Sequence, residues 1–550
     1  VALTLSPMMC RFMLKREGGH SWFYRWSEPF FEALTAAYRR TLQSFLRLRW
    51  LVLPLTLATA VGIVLCLRGL PSELAPLEDR SNIRVNVRAP EGASFDYMQD
   101  QLDRIAVYVR DEIPEVEHAF AIGGPRGGTA ATGRFSLYLK DPHDRERTQE
   151  QVFQQLSRDL DRFNGVRAFP AQVPTIGDRR AGLPVQYVLQ SPTLEDLVAV
   201  LPRFLEESSQ SSVLRFVDSD FKLNRPEGAV SIDRRRAAEL GVSVQDIART
   251  LQLAYGGQRF GFFLMNDRQY SVIGQVERAD RNDPGDLAKL FVRARGGAMV
   301  SLDNLLHFEE TVGPASILRF NRFTSATISA GTAPGHTLGD GIAAFDEVAA
   351  RVLPAGIRTS LAGQSRDFAD ASSSLIFAFG FALALIYLVL AAQFESFRDP
   401  LIILITVPLS LAGALVSLWV FGQTINVFSQ IGLIMLIGLV TKNGILIVEF
   451  ANQQRERGLA IMDAALEASA ARLRPILMTA LSTILGVLPI ALSLGDAAGS
   501  RQSLGVAVVG GMMLSTFLTL YLVPAVYTYL TSARREVEGI TEGVSQLRSA

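Results

Sequence analysis

Residues 425–450 read INVFSQIGLIMLIGLVTKNGILIVEF, an apolar run interrupted by Thr441, Lys442 and Asn443. A charge at bilayer depth costs about 3 kcal/mol on insertion scales, so ionisable groups kept there usually pair with something and do something. Lys442 stands eight residues before Phe450, about 12 Å along a helix. Two chemistries fit that position. The ammonium can snorkel to the nearer headgroups, or it can serve in proton or ion coupling. In coupling it would pair with carboxylates while they are ionised and swing away when they protonate. Coupling is the expected role.

The elements that must position such a group are apolar helices. Apolar residues make up 49% of the chain, which points to a membrane protein. Six segments have the length and apolarity to cross a bilayer: 50–67, 375–394, 401–421, 425–450, 474–494 and 504–530. One span is followed by a large extramembrane domain and then by five closely spaced spans. Lys and Arg in the short connections set the orientation. Arg39, Arg40, Arg47 and Arg49 precede the first span, Arg455, Arg457, Arg472 and Arg474 precede the fifth, and Arg534 and Arg535 follow the last. Residues 421–424 carry no charge. With alternating spans, all the basic segments face the cytoplasm and the large domain lies outside it. Residues 1–14 read as the end of a preceding span, and 15–49 as a cytoplasmic or interfacial helix with scattered aromatic and basic residues. The sequence is therefore expected to start part-way through a longer protein.

Composition also excludes. Lys plus Arg and Asp plus Glu stand at 54 each with no polybasic run, so nucleic acid is not an expected partner. There is no GxxxxGK[ST] loop, which argues against ATP hydrolysis as an energy source. Cys10 and Cys66 lie in or beside membrane segments, leaving the exported domain without a disulfide. His118, His143, His307 and His336 are scattered and suggest no nucleophile–base set, which sets a soluble enzyme aside.

In the large domain, residues 82–88 alternate as a strand and 96–113 follow as an amphipathic helix. Strands at 116–122 and 134–140, a helix at 147–163 and a strand at 166–169 complete a βαββαβ unit of ferredoxin-like type. A similar order restarts with strand 185–189, helix 193–207 and strand 213–218, is interrupted over 227–312, and resumes with strand 320–328 and helix 338–353. The predicted fold class is a polytopic α-helical membrane protein with a large α+β domain, made of ferredoxin-like subdomains and one inserted subdomain. Within the insertion, strands 290–295 and 298–302 flank Gly296-Gly297, read as a two-residue hairpin turn with both glycines at positive φ. The loop GGPRGGTAATG at 123–133 reads as a mobile lining of a binding cleft or as a plain surface loop.

GLVTKNGILIVEF followed by ARLRPILMTALSTILGVLPIAL closely resembles the fourth and fifth spans of the C-terminal half of resistance–nodulation–division (RND) exporters. The likeness is greatest to the hydrophobe/amphiphile efflux branch of Gram-negative bacteria. LPSELAPLEDRSNIRVNVRAPEGAS resembles that branch's lead into its periplasmic domain, and GPASILRFNRFTSATISAGTAPG its return. The likeness covers essentially the whole chain and one half of the family's protein. It implies an inner-membrane permease, a secondary active transporter and not an enzyme, that exchanges protons for hydrophobic or amphiphilic compounds. The proton-motive force drives it, with no cofactor and no metal. It also implies a homotrimer that works with a periplasmic adaptor protein and an outer-membrane channel.

Carried over by position, Lys442 matches the relay lysine, with Asn443 beside it, Arg472 the arginine before the next span, and Thr479 the threonine within it. Phe120, Gly123, Pro125 and Gly127 fall at the substrate cleft, and Gly296 and Gly297 near the top of the docking subdomain. The implied domains are periplasmic pore subdomains at 72–175 and at 176–226 with 313–366, the docking subdomain at 227–312, five spans within 373–530 and a cytoplasmic tail at 531–550.

Two departures matter. The paired aspartates that face the relay lysine belong to the family's other half, and Glu449 near the cytoplasmic end reads as interfacial. The cleft of multidrug members is rich in phenylalanine, whereas here Pro125 and Gly127 stand at two of those positions. Two alternatives stay open: heavy-metal export, for which only Met98, Met265 and Met299 offer soft ligands in the exported domain, and a non-pumping half-protein acting as scaffold or export helper.

Overall fold

Long apolar segments satisfy their backbone in a bilayer only as helices. In the computed structural model, which describes residues 4–13, 22–124, 130–177, 182–314, 316–494 and 499–531, six helices are long and apolar enough to cross a membrane. Pro125 and Gly127 lie outside the described residues.

The chain opens with α1 (Leu5–Met13), α2 (Trp22–Arg47) and the first of the six, α3 (Val52–Gly69). Amphipathic α2 spends its apolar face on protein. Tyr38, Leu42 and Leu46 are buried in one core with Leu473, Leu520 and Val523. Arg474 pairs with Glu28 at 2.9 Å and stacks 4.7 Å over Phe31.

The extramembrane domain begins with β1 (Asn82–Arg88), α4 (Phe95–Glu112), β2 (Val116–Gly123), β3 (Thr132–Leu139), α5 (Gln149–Asp159) and β4 (Arg167–Gln172). These strands form one antiparallel sheet in the order β2-β3-β1-β4. Ile83, Val85 and Val87 alternate inward against Leu102 and Ile105 of α4 and Val152 and Leu156 of α5, so Asn86 and Arg88 occupy the opposite face. Ser94 caps α4, and a Thr148–Gln151 capping box starts α5.

A second unit follows with β5 (Val185–Ser191), α6 (Leu194–Ser209) and β6 (Leu214–Ser219). An excursion then runs through β7 (Arg225–Ile232), α7 (Arg234–Glu239), α8 (Val244–Leu251), β8 (Gln258–Met265), β9 (Arg268–Gly274), β10 (Phe291–Arg293), β11 (Met299–Ser301) and β12 (Leu306–Gly313). The chain returns in β13 (Leu318–Phe320), β14 (Phe323–Thr332), α9 (Leu338–Val352) and β15 (Arg358–Leu361). β14 lies between β5 and β6, and β15 flanks β5. The order β6-β14-β5-β15 thus repeats that of the first sheet, with the excursion placed between its second and third strands. β7 pairs with β12 along its whole length and closes the excursion. The β8–β9 hairpin went unread in the sequence, because FGFFLM is apolar at every position and shows no alternation; Phe260, Phe262 and Leu264 are exposed on it.

The remaining helices are α10 (Gly363–Phe394), α11 (Asp399–Leu404), α12 (Thr406–Val420), α13 (Val427–Glu456), α14 (Ile461–Ala491) and α15 (Gly499–Leu530). Two begin about a dozen residues earlier than hydropathy predicts. α10 starts in the polar stretch GQSRDFADASSS, and α14 absorbs the Ala-rich connection expected to be a loop, so Arg472 and Arg474 sit inside a helix. α15 is the axis of the bundle, and small residues let its neighbours approach. A Cβ at Gly413 of α12 would sit 2.9 Å from the Gly510 carbonyl oxygen, and one at Gly511 3.0 Å from that of Ser410. Ser417 Oγ donates to the Val506 carbonyl at 3.0 Å across the same contact.

Two outcomes follow from this packing. Gly511→Leu should force α12 and α15 apart and destabilise the bundle by at least the 1–3 kcal/mol or so typical of overpacking, read as a lower unfolding temperature in detergent. The second concerns Glu115. The Arg147 guanidinium bonds both its oxygens and holds its carboxyl below the ordinary range. A depressed carboxylate pKa stabilises the fold above the unfolded pKa, and that contribution is lost as pH falls through the folded value. Glu115→Gln should therefore melt below wild type at pH 7, and the gap should narrow as pH falls below the ordinary glutamate range.

Candidate functional site

Asn426 caps α13 by accepting from the Ser429 amide at 3.0 Å, which sets the helix rotation at its start. Gly432, Leu436, Val440, Asn443, Gly444 and Ile447 turn inward, while Ile431, Met435, Gly438, Lys442 and Glu449 form an outward stripe. Lys442 thus stands at the outer surface of this bundle, after the apolar Ile431, Met435 and Gly438 of that stripe, and among the described residues it has no ion-pair or hydrogen-bond partner. Glu449 accepts instead from Gln453 Nε2 at 3.0 Å. It lies two turns from Lys442, about 10 Å along the axis.

Arg472 of α14 places its guanidinium 4.6 Å over the Phe450 ring of α13, a cation–π contact that anchors the two helices in register. A four-residue connection makes them antiparallel neighbours, so seven residues on from Arg472, Thr479 comes level with Asn443 and Lys442. The Thr479 hydroxyl donates to the Ile476 carbonyl at 3.1 Å, a back-bond that leaves its oxygen able to accept. Asn443 is 2% exposed. Its Nδ2, like Arg472 Nε, is buried without a hydrogen-bond partner among the described residues. Buried polar groups are seldom left so. Lys442, Asn443 and Thr479 therefore share one depth, with Arg472 about two turns away.

The outward face of the first sheet supplies a second candidate. A cleft of about 780 Å³ runs between the sheets, lined by Asn86, Arg88, Arg134 and Phe169 from one and Leu183, Asp218 and Ser329 from the other side. Asp218 is the ionic centre: Arg88 pairs with it across the cleft, Lys222 at 2.6 Å and Arg167 at 3.9 Å. Burial pushes the nearby Asp220 carboxyl up, against the hydrogen bond from the Thr327 amide at 2.7 Å. Phe163, Phe169 and Phe216 line an adjoining cavity of about 440 Å³. Phe216 has φ of 55°, a strained backbone for an aromatic residue, of the kind that clusters at binding sites.

Of the cleft residues expected from sequence, Phe120 lies on edge strand β2, 64% exposed. It shares a face with Ile122, which lines the cleft. Gly123 packs on α4, where a Cβ would come within 3.0 Å of Leu102. The lining residues Arg88, Phe169, Phe216 and Asp218 went unread; for Arg88 the signal was the polar side of the alternation in NIRVNVR. Met98 is buried in the first core while Met265 and Met299 are exposed on separate hairpins, so the three do not converge.

The β10–β11 turn differs from expectation. Ala294 N donates to Ala298 O and Gly297 N to Ala294 O, both at 2.9 Å, which closes a three-residue loop, and only Gly297 has positive φ, at 87°. This is the three-residue hairpin with a left-handed last position. A Cβ at either glycine meets nothing within 4 Å, so the tip is open.

A family profile described as the AcrB/AcrD/AcrF family matches residues 1–531. A protein named only as an uncharacterized transporter, from Haemophilus influenzae (strain ATCC 51907 / DSM 11121 / KW20 / Rd), is 32% identical over 543 residues. That similarity takes in 97% of this chain but 52% of the relative, so the chain spans about half the relative's length. With its membrane helices and its mixed helix–strand domain, the chain belongs to the AcrB/AcrD/AcrF family of RND transporters.

Proposed function

We propose that the chain is the C-terminal half of a proton-driven RND exporter of the hydrophobe/amphiphile branch, seated in the inner membrane of a Gram-negative cell. The observation that carries this reading is the polar layer in the spans. Lys442 sits on an outward stripe whose preceding members, Ile431, Met435 and Gly438, are apolar, level with Asn443 and Thr479, and Arg472 is fixed over Phe450. An ammonium so placed is complementary to carboxylates on a facing set of helices, and protonation of those acids removes its partner. The two states then differ by a charge pair in a medium of low dielectric, which is sufficient to bias helix positions. The remaining half of the protein would supply the acids.

In this reading the extramembrane domain is periplasmic, and its two ferredoxin-like subdomains open and close the cleft between them. The substrates are small amphiphiles: Phe163, Phe169 and Phe216 offer apolar contact, and Arg88, Arg134 and Arg167 polar contact. The dispersed Met98, Met265 and Met299 do not favour metal export. The excursion 225–313 is the docking subdomain, and its open Gly296–Gly297 tip meets an adaptor that leads to an outer-membrane channel. The working unit is a homotrimer, and no cofactor takes part.

Lys442→Ala in the complete protein should abolish proton-coupled export in proteoliposomes while expression, melting temperature and assembly stay near wild type, since the side chain is exposed on its own bundle. Full export by that variant would remove the relay role. Gly297→Val should cost about 1–2 kcal/mol locally, because φ of 87° is hostile to a β-branched residue. Site-specific crosslinking to the adaptor should fall severalfold while proton flux is retained; unchanged crosslinking would place docking elsewhere.

A further inference from the structure

We propose that residues 71–80, between α3 and β1, are a coupling strap that carries movement of α13 into the substrate cleft. α13 is joined in sequence to α12 and α14, so its movements reach the extramembrane domain only through contacts. At its capped end it holds the strap through backbone. Ile425 N donates to the Pro71 carbonyl at 2.9 Å, Glu73 N to that of Ile425 at 3.0 Å, and Val427 N to that of Leu74 at 3.2 Å. Ser72 and Ile425 pair as parallel bridge partners. Side chains lock the same place: Thr424 Oγ1 donates to Glu73 at 2.6 Å and accepts from Asn426 Nδ2 at 2.9 Å, and Ser503 of α15 donates to Asn426 at 3.0 Å.

From there the strap runs into both subdomains. Leu74 is buried in the second core, against which Val427 of α13 itself packs, and Gly339 N of α9 donates to the Ser72 carbonyl at 3.3 Å. Thr175 donates to the Pro76 carbonyl at 2.7 Å. Glu78, 7% exposed, accepts from Ser500 of α15 and from Arg80. The strap then becomes β1, whose Asn86 and Arg88 line the cleft. A shift of α13 therefore pulls on the strand that carries Arg88, and Glu73, Thr424 and Ser500 are positioning residues for transport.

The proposal rests on proton-driven movement of α13, and the test separates the two. In the complete protein, with Cys10 and Cys66 replaced by serine, Ile122→Cys reports the cleft through its maleimide alkylation rate in proteoliposomes, with and without a pH gradient. The gradient should change that rate in the parent and not in Lys442→Ala. Thr424→Val should reduce the gradient-dependent change at least fivefold, Thr424→Ser should restore it, and both should melt like the parent. A disulfide between Ser72→Cys and Ile425→Cys, bridge partners about 5 Å apart, should restore the change in the Thr424→Val background. Thr424→Val and Glu73→Gln responding like the parent would overturn the strap. No gradient response in the parent would overturn proton-driven movement, and the strap with it.

Discussion

A charge that cannot leave an apolar helix constrains how every other span is packed. An ammonium in hydrocarbon costs about 2.5–3.5 kcal/mol on insertion scales, so the helix that carries Lys442 cannot turn that face to lipid indifferently. Its rotation is set twice, by the Asn426 cap at one end and by the Arg472–Phe450 contact toward the other. With Lys442 outward, the inward face must be closed by close packing, and glycines do this. A Cβ at Gly432 would come within 3.2 Å of the Leu504 carbonyl oxygen, and one at Gly444 within 3.2 Å of Ile403. The bundle is thus tight where α13 meets α15 and α11, and open where the lysine is presented. That asymmetry leaves the lysine face uncovered by the described helices.

The extramembrane domain solves a different problem with the same economy. Two sheets of like strand order place their helices on one face and leave the other for the cleft. The chain crosses that cleft electrostatically at Asp218, where cations from both subdomains converge on one carboxylate. Such a cluster is a poor source of net stability, because desolvation offsets much of the attraction. With two cations of the first subdomain on one acceptor of the second, no single ion pair alone joins the subdomains.

Much of this was legible in the sequence, for reasons that vary by element. β1 was legible because one face is buried and the other polar, so NIRVNVR alternates. The outer end of α10 and the first turns of α14 were not, because hydropathy registers lipid contact and these stretches are helical without it; their Ala content was the available signal. Lys442 was visible as a breach of apolarity. That Thr479 shares its depth depends on the antiparallel register set by Arg472 and Phe450, a pairing between helices that neither sequence states alone. The place of Phe216 beside the adjoining cavity depends on its left-handed backbone, for which no local pattern exists. The Gly296–Gly297 turn was legible as a turn, while its length depended on Arg295 being drawn toward the Gly241 carbonyl at 2.9 Å.

The chemistry of the junction between spans and domain also carries meaning. Ser500, Ser503, Asn426 and Glu78 are all buried there, where apolar residues would have been easier to pack. Apolar contacts are non-directional and tolerate sliding, so a helix held only by them can shift without moving its neighbour. Hydrogen bonds between buried partners are directional, and leaving one unmade costs about 1–3 kcal/mol. A displaced α13 must therefore either break several such bonds together or carry the strap along. The polar composition of the junction converts a soft interface into a stiff one, so that under the proposed coupling a change in charge within the spans would reach the cleft outside them.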